Sequence, residues 1–321
     1  MRDALELTVL RADAREAEPQ VAAPTGAASP EVPRRVRLGM PHLDAGGLSE
    51  NWLLRQAGAL QWEAIAARLG VRPDAIRDGA GTRLYPTVVA VRARYHAPLS
   101  EFGEDDALDF AVEVVPCGRA CAHGRIVAAA GGRRLSIEVL TSFAARGPDG
   151  LRTTHLAPPL ARRWTLPGGP EPTLARLARA ARRGQAVDDA FSGPVLAAEG
   201  PALGALTYEP SPWADYNGAG LLYFASYVTI ADTATRQLLR RGLERQDSDW
   251  ALATSAVRRD VYYYDNLPLG AALTATLRRH ESDGTGVLTH VRLSRAADGR
   301  PMADVIARRT ALGAAGRQAR S

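Results

Sequence analysis

The chain has 321 residues, of which 46% are hydrophobic and 23% are charged, a balance typical of a globular protein with an ample core. Its net charge of +5 is small and dispersed, and no nucleic-acid-binding motif occurs, so the composition argues against a DNA- or RNA-binding protein. No apolar run is long enough to span a membrane. The N-terminus, with Arg2, Asp3 and Glu6, has no apolar signal segment. We therefore expect a cytoplasmic protein that does not enter a membrane.

The cysteines are few. Only Cys117 and Cys121 occur, in a C-x3-C spacing. Two cysteines in so long a chain do not form a disulfide framework, and no histidine or cysteine pair completes a zinc site. The sequence predicts reduced thiols, no metal and no cofactor.

The first half of the chain contains one long helix and several strands. Residues 1–34 are rich in Ala, Pro, Glu and Ser and predict a mobile tail. A polar turn with Gly46 and Gly47 then opens into a helix over about 48–69, which Gly70 ends. Alternating segments at 87–96, 108–115 and 135–143 predict strands, with a glycine hairpin turn at 131–132.

The second half repeats this order. A turn with Asp215, Asn217 and two glycines opens into nearly uncharged residues, Leu221 to Leu239, which are apolar on almost every side. A helix that is apolar all round is a buried one. Strand patterns follow at 257–264, 273–280, 287–293 and 302–309. Between the halves, residues 146–203 are rich in Pro and Gly and contain one amphipathic helix over 173–183.

Two copies of one unit (turn, long buried helix, about four antiparallel strands) predict an α+β protein with the double hot-dog fold. In this fold an antiparallel sheet wraps each central helix, and we expect the two sheets to form one continuous sheet. We place the first unit at 35–145, a linker at 146–203, the second unit at 204–312 and a tail at 313–321. Double hot-dog proteins commonly pair, so we expect a homodimer.

Four segments of the chain resemble a single family: Gly39-Met-Pro-His-Leu-Asp-Ala-Gly-Gly-Leu-Ser-Glu-Asn-Trp-Leu-Leu, Arg83-Leu-Tyr-Pro, Ala97-Pro-Leu-Ser-Glu-Phe and Asp215-Tyr-Asn-Gly-Ala-Gly-Leu-Leu-Tyr-Phe-Ala-Ser-Tyr. They are similar to the LnmK-like bifunctional acyltransferase/decarboxylase family of leinamycin-type polyketide biosynthesis, over about residues 36–312. The resemblance implies a double hot-dog enzyme that takes methylmalonyl-CoA, decarboxylates it and loads propionyl on an acyl carrier protein. It also implies an acyl-transferring tyrosine, which matches Tyr85.

Decarboxylation of a malonyl-type thioester needs hydrogen-bond donors at the thioester oxygen, because an enolate develops there. The two glycine turns and the Asn217 amide could supply them. A tyrosine has a pKa near 10 and needs a cation or a base to react, for which Arg83 and His42 are candidates. We predict catalytic roles for Tyr85, His42, Asp215 and Asn217, and substrate-binding roles for Gly46, Gly47, Ser49, Asn51, Gly218 and Gly220.

Other interpretations stay open. Hot-dog thioesterases share the Asp-x-Asn-Gly pattern but follow it with His, where this chain has Ala219. Double hot-dog dehydratases pair a His from one half with an Asp from the other, as His42 and Asp215 could. A non-catalytic acyl-binding protein would keep the fold alone. Structural roles are also open, because His42, Asp215 and Asn217 can stabilise turns and Tyr85 can be a core residue.

Overall fold

The computed structural model describes residues 34–147, 150–166, 170–185, 187–189, 193–196, 201–242, 254–282 and 286–311. The predicted N-terminal tail, apart from Arg34, and the predicted tail at 313–321 lie outside the described residues.

The secondary structure alternates long strands with two long helices. In chain order the elements are β1 (Arg34–Arg37), β2 (Leu43–Asp44), β3 (Gly47–Leu48), α1 (Glu50–Leu69), β4 (Leu84–Tyr95), β5 (Ala107–Gly118), β6 (Cys121–Ala130), β7 (Arg133–Gly147), β8 (Gly150–Thr153), α2 (Pro158–Ala161), α3 (Thr173–Arg182), β9 (Val187–Asp189), β10 (Gly193–Leu196), β11 (Gly204–Tyr208), α4 (Phe224–Gly242), β12 (Thr254–Tyr263), β13 (Leu273–Ser282), β14 (Val287–Arg295) and β15 (Pro301–Ala311).

The first long helix has the ends that its sequence predicts. Ser49 is the N-cap residue, and its hydroxyl accepts a hydrogen bond from the Trp52 N–H at 3.5 Å. Gly70 ends α1 in the left-handed conformation, with φ of 64°, which glycine adopts without steric cost. The predicted helix over about 48–69 is therefore confirmed.

The second long helix begins three residues later than Leu221, where the sequence pattern placed its start. The Leu222 N–H donates to Asn266 Oδ1 at 3.1 Å, and the Tyr223 N–H donates to the Asp215 carbonyl at 2.7 Å. These bonds hold both residues in the preceding turn, so α4 starts at Phe224.

Eleven strands of the described chain form one antiparallel sheet in the order β1-β5-β6-β7-β4-β12-β15-β14-β13-β11, with β8 paired to β7 outside this path. The two halves meet where β4 pairs with β12, from Arg94 opposite Arg258 to Ala90 opposite Tyr262. Helix α1 packs on β5, β6 and β7, α4 packs on β11 and β13 to β15, and the helices contact each other. This arrangement confirms the predicted double hot-dog fold with a continuous sheet. The unit boundaries stay a prediction.

Helix α3 covers the opposite face of the sheet. The predicted helix over 173–183 is present as Thr173–Arg182. Its buried side, with Leu174 and Leu177, packs in one cluster with Leu140, Tyr262 and Ile306 of the sheet. The centre of the sheet is therefore covered on both faces.

The prediction that the two cysteines are reduced thiols is wrong. Cys117 and Cys121 form a disulfide, and their Cα atoms are 5.2 Å apart. The β5–β6 hairpin brings them together, because Gly118 pairs with Cys121 at the turn. A C-x3-C spacing across a tight hairpin thus suits a local disulfide, a possibility that counting cysteines overlooks.

The described helices include none that is long and apolar enough to cross a membrane. In the same part of the chain, no group of three or more His, Cys, Asp or Glu side chains is arranged to hold a metal ion.

Candidate functional site

A cavity of about 880 Å³ opens where β4 and β12 separate. Their pairing stops at Ala90 and Tyr262, and the next residues on both strands line the cavity. Helix α1 supplies Gly58 and Trp62, and the turn before α4 supplies residues 217 and 219–223. The cavity therefore lies beside both central helices, at the junction of the two halves.

Buried tyrosines form the inner part of the cavity. The Tyr263 hydroxyl donates to the Phe224 carbonyl at 2.9 Å, and the Tyr227 hydroxyl donates to the Asp265 carbonyl at 3.3 Å. Burial raises the pKa of Tyr227 and Tyr263 well above the usual range. Both phenols stay neutral at physiological pH and are committed to main-chain acceptors.

Tyr85 lines the same cavity from the other face of the sheet. It pairs with Ala144, whereas Val88 pairs with Thr141, and faces alternate along a strand. Val88 packs against the helices, so Tyr85 lies on the side away from them. The guanidinium carbon of Arg83 lies 5.1 Å from the centre of the Tyr85 ring, which is the cationic contact that the sequence suggested.

Asn217 also lines the cavity, but its amide oxygen is used within the turn. This Oδ1 accepts hydrogen bonds from the Ala219 N–H at 3.0 Å and the Leu221 N–H at 3.1 Å. The Gly220 N–H donates to the Asn217 carbonyl at 2.8 Å. The turn therefore consumes N–H groups that the sequence analysis assigned to a substrate oxygen. The Asn217 Nδ2 makes no hydrogen bond to any described residue and remains a donor.

Gly218 does not line the cavity, whereas Gly220 does. Gly220 has φ of 66°, so the turn needs a residue without a side-chain penalty there. Gly220 could therefore contact a substrate only as part of the cavity wall, because its N–H already bonds to the Asn217 carbonyl.

Asp215 lies outside the cavity lining and stabilises the turn. The carboxylate accepts hydrogen bonds from the Ser211 N–H at 2.8 Å and the Tyr208 hydroxyl at 3.2 Å. Burial and the neighbouring Asp215 charge raise the pKa of Tyr208 to about 12. The geometry therefore gives Asp215 the structural role that the sequence left open.

The first turn is likewise outside the cavity. His42 Nδ1 accepts a hydrogen bond from the Gly39 N–H at 2.8 Å, and its ring packs edge-on against Trp52 with centroids 4.7 Å apart. His42 and Asp215 thus do not share the cavity that a dehydratase pairing would need.

The glycines and polar residues after His42 are also engaged elsewhere. The Gly46 N–H donates to Asp44 Oδ1 at 2.6 Å, and a Cβ at Gly47 would clash with the Leu99 carbonyl oxygen. The Asn51 amide donates to Thr229 Oγ1 at 2.9 Å. Ser49 caps α1, and neither it nor the other three residues line the cavity. The structure therefore brings Tyr85, Asn217 and Gly220 together and leaves the first turn apart.

Arginines lie at the exposed part of the cavity. Arg146 donates to the Ala219 carbonyl at 2.7 Å, and Arg182 donates to the Tyr263 carbonyl at 3.1 Å. Neither has a carboxylate partner among the described residues. Arg300 pairs with Asp265 at 2.7 Å. The mouth therefore carries positive charge that main-chain carbonyls hold in place without neutralising it.

Asn266 joins two segments that line the cavity through hydrogen bonds, and the sequence analysis did not identify it. Its Oδ1 accepts from the Leu222 N–H at 3.1 Å, and its Nδ2 donates to the Leu222 carbonyl at 3.0 Å. One amide thus fixes the turn before α4 to the segment after β12. The Asp-Asn pair at 265–266, directly after a strand, was the available signal.

A buried ionic cluster holds the two helices beside the cavity. Arg259 of β12 bonds to Glu50 of α1 at 2.7 and 2.9 Å and to Asp232 of α4 at 2.7 and 3.0 Å. Burial disfavours the Arg259 charge, but Asp232 and Glu50 outweigh this and raise its pKa. Burial alone would raise the pKa of Asp232, but the opposing effect of Arg259 and Arg309 is larger, so the pKa of Asp232 is lowered overall. Arg259 and Asp232 therefore both stay charged in the folded protein.

No protein-family model matches this chain, and a search of curated proteins also gives no match. Solved structures do resemble it. A protein described as an oleoyl thioesterase from Lactobacillus plantarum has a TM-score of 0.60 and 15% identity, covering 89% of this chain and 96% of its own. The 12:0-ACP thioesterase from Umbellularia californica has a TM-score of 0.59 and 11% identity, covering 88% and 94%.

An acyl-ACP thioesterase from Bacteroides thetaiotaomicron has a TM-score of 0.56 and 10% identity, and the match covers 87% of this chain and 97% of that one. At such identities the likeness concerns the fold. The LnmK-like resemblance rests on its sequence segments alone and stays a prediction. What the comparisons and the topology share is the architecture: this chain has the hot-dog fold over most of its length.

Proposed function

We propose that the cavity binds an acyl thioester carried by coenzyme A or an acyl carrier protein, and that the chain is an enzyme acting on that thioester. The observation that carries the proposal is the cavity itself, with buried aromatic walls inside and, at its mouth, the guanidinium groups of Arg146 and Arg182, which have no carboxylate partner in the described part of the chain. Its volume of about 880 Å³ lies in the range of small-molecule sites. Arginines suit the phosphates of a phosphopantetheine arm, because guanidinium groups bond phosphate in a bidentate manner.

Hydrolysis is the first candidate reaction. The structures that share this fold include enzymes described as acyl-ACP thioesterases. In this chain, the Asn217 Nδ2 and the Tyr85 hydroxyl are the donors that could polarise a thioester carbonyl in the cavity. Water would then attack the carbonyl carbon, and the thiol of the carrier would leave.

Decarboxylation with acyl transfer is the second candidate, and it is favoured because the described lining residues offer few groups that could act as a base. The described lining residues include no histidine and one carboxylate, Asp265, which Arg300 already holds. Hydrolysis needs a base to activate water, whereas loss of CO2 from a malonyl-type thioester needs only stabilisation of the enolate. The enolate would take a proton from water, and the Tyr85 oxygen beside Arg83 would accept the propionyl group, with its phenol proton going to the departing CoA thiolate. The thiol of the carrier protein would then take the propionyl group and return its proton to the Tyr85 oxygen.

The test separates the two reactions. The protein is incubated with hexanoyl-CoA or methylmalonyl-CoA, with and without a phosphopantetheinylated carrier protein, and the carrier is weighed by mass spectrometry. A thiol-reactive dye measures released CoA. Free CoA with an unloaded carrier supports hydrolysis, and a propionyl-loaded carrier supports decarboxylating transfer. No turnover and no binding of either thioester would contradict the proposal. Assembly as a homodimer remains a prediction that sedimentation would check.

A further inference from the structure

The helix-side wall of the cavity contains a hydroxyl group without a partner. Thr141 is 1% exposed and lines the cavity, and its Oγ1 makes no hydrogen bond with any residue that the structure describes. A buried polar group in this state destabilises a fold, so native structures rarely keep one without a reason. A ligand that bonds to the hydroxyl would supply that reason.

Strand geometry directs Thr141 toward the helices. Thr141 pairs with Val88, and Val139, two residues earlier on β7, pairs with Val91. Residues two apart on a strand share a face, and Val91 and Val139 belong to the core beneath the helices. Thr141 therefore lies on the wall that an acyl group between the helices would contact.

Gln61 supplies a second polar group to the same wall. It is 1% exposed, lines the cavity and donates from Nε2 to the Val139 carbonyl at 2.8 Å. Its side chain crosses Gly124, where a Cβ would come 2.8 Å from Gln61 Cγ and 2.9 Å from its Nε2. Glycine on the neighbouring strand thus provides the space for a buried amide. This hydrogen bond uses one of the two Nε2 hydrogens, so an amide with two donor hydrogens and an acceptor oxygen can still bond a ligand.

We propose that Thr141 and Gln61 bind a hydroxyl group on the acyl chain of the ligand, so that the site prefers a hydroxylated acyl group to a plain alkyl chain. This inference rests on the proposed function, because it names the class of acyl group that the cavity accepts. A ligand hydroxyl both donates and accepts hydrogen bonds, and the side chains of Thr141 and Gln61 together provide an acceptor and a donor for it. An alkyl chain would leave them unsatisfied, and a site built to bond a substrate hydroxyl discriminates strongly against the analogue that lacks it.

The test uses calorimetry with thioethers that cannot be hydrolysed: S-hexyl-CoA, S-(3-hydroxyhexyl)-CoA and S-(5-hydroxyhexyl)-CoA. We expect wild-type protein to bind one hydroxylated analogue about tenfold more tightly than S-hexyl-CoA. The Thr141→Val variant should lose this preference. Its melting temperature should stay unchanged or rise, since the variant replaces an unbonded hydroxyl with a methyl group of equal size.

Thr235→Val is the matched control. Thr235 is also 1% exposed, but its hydroxyl donates to the Ala231 carbonyl at 2.8 Å and it does not line the cavity. This variant should keep the preference for the hydroxylated analogue.

Four results would overturn the inference. Equal binding of all analogues by the wild-type protein, or a full preference retained in Thr141→Val, would refute it and leave the proposed function intact. A fall in melting temperature of Thr141→Val as large as that of Thr235→Val would show that the fold itself bonds the hydroxyl. If no CoA thioether binds, the proposed function fails, and the inference fails with it.

Discussion

Replacing Arg259 with methionine removes the cation that links the two central helices. Its side chain is 1% exposed and makes four charge-assisted hydrogen bonds, two to Glu50 and two to Asp232. Removing one partner of a buried ion pair costs about 3–5 kcal/mol, because the other charges remain buried and uncompensated. Asp232 keeps Arg309 at 3.3 Å, and its side chain is 31% exposed. We therefore expect the lower end, a loss of about 3 kcal/mol in the free energy of unfolding at pH 8.

The loss should depend on pH in a definite direction. In the wild-type protein the pKa of Asp232 is lowered, because Arg259 and Arg309 outweigh the effect of burial. This carboxylate therefore contributes stability above its unfolded pKa, which is lost as the pH falls. Without Arg259, burial raises the pKa of Asp232 above its wild-type value, so the variant loses less stability than the wild type as the pH falls. The difference from wild type should be smaller at pH 5 than at pH 8 by about 1 kcal/mol.

Urea unfolding followed by circular dichroism at both pH values measures these differences. Arg236→Met removes an exposed arginine from α4 and should change the free energy of unfolding by less than about 0.5 kcal/mol. A loss below about 1 kcal/mol in Arg259→Met at pH 8, or an equal loss at the two pH values, would refute the reasoning.

Further predictions concern the cavity, the hairpin and a second buried carboxylate. Tyr85→Phe should abolish acyl transfer without changing the melting temperature, and full transfer activity in this variant would remove Tyr85 from the site. Cys121→Ser opens the disulfide and should lower the free energy of unfolding by about 2 kcal/mol, measured without reductant; an unchanged value would show that the hairpin needs no cross-link. Burial raises the pKa of Asp304, but hydrogen bonds from His290 and Arg292 outweigh this, so its net pKa is lowered. Asp304→Asn should therefore cost about 3 kcal/mol at pH 7, and the difference should shrink below about pH 4 as the wild-type carboxylate loses its contribution; a constant difference across that range in urea titrations would contradict the assignment.

The architecture could be predicted from the sequence because it depends on local patterns. Ser49 and Gly70 mark the ends of α1, and alternation marks the long strands. The consecutive residues Tyr262 and Tyr263 pack in different clusters on opposite faces of the sheet, as a strand requires. These features need only the periods and end signals of helices and strands.

The site was harder to predict, because it depends on where long-range pairing stops. Nothing local indicates that β4 and β12 separate after Ala90 and Tyr262, which is what opens the cavity. Motif spacing drew attention to His42 and Asp215, whose polar atoms are used within their own turns. Gln61, a lone amide on the buried part of α1, was the signal available from sequence and was passed over.

The close packing of Gly47 against the Leu99 carbonyl has a consequence for stoichiometry. A twofold-repeated fold could offer two equivalent places for a guest, but at the start of α1 the Leu99 main chain packs directly against Gly47. Titration should therefore saturate at one acyl-CoA analogue per polypeptide, half the number that the internal repeat would suggest. Residues of both halves line the cavity, so a single guest contacts both repeats.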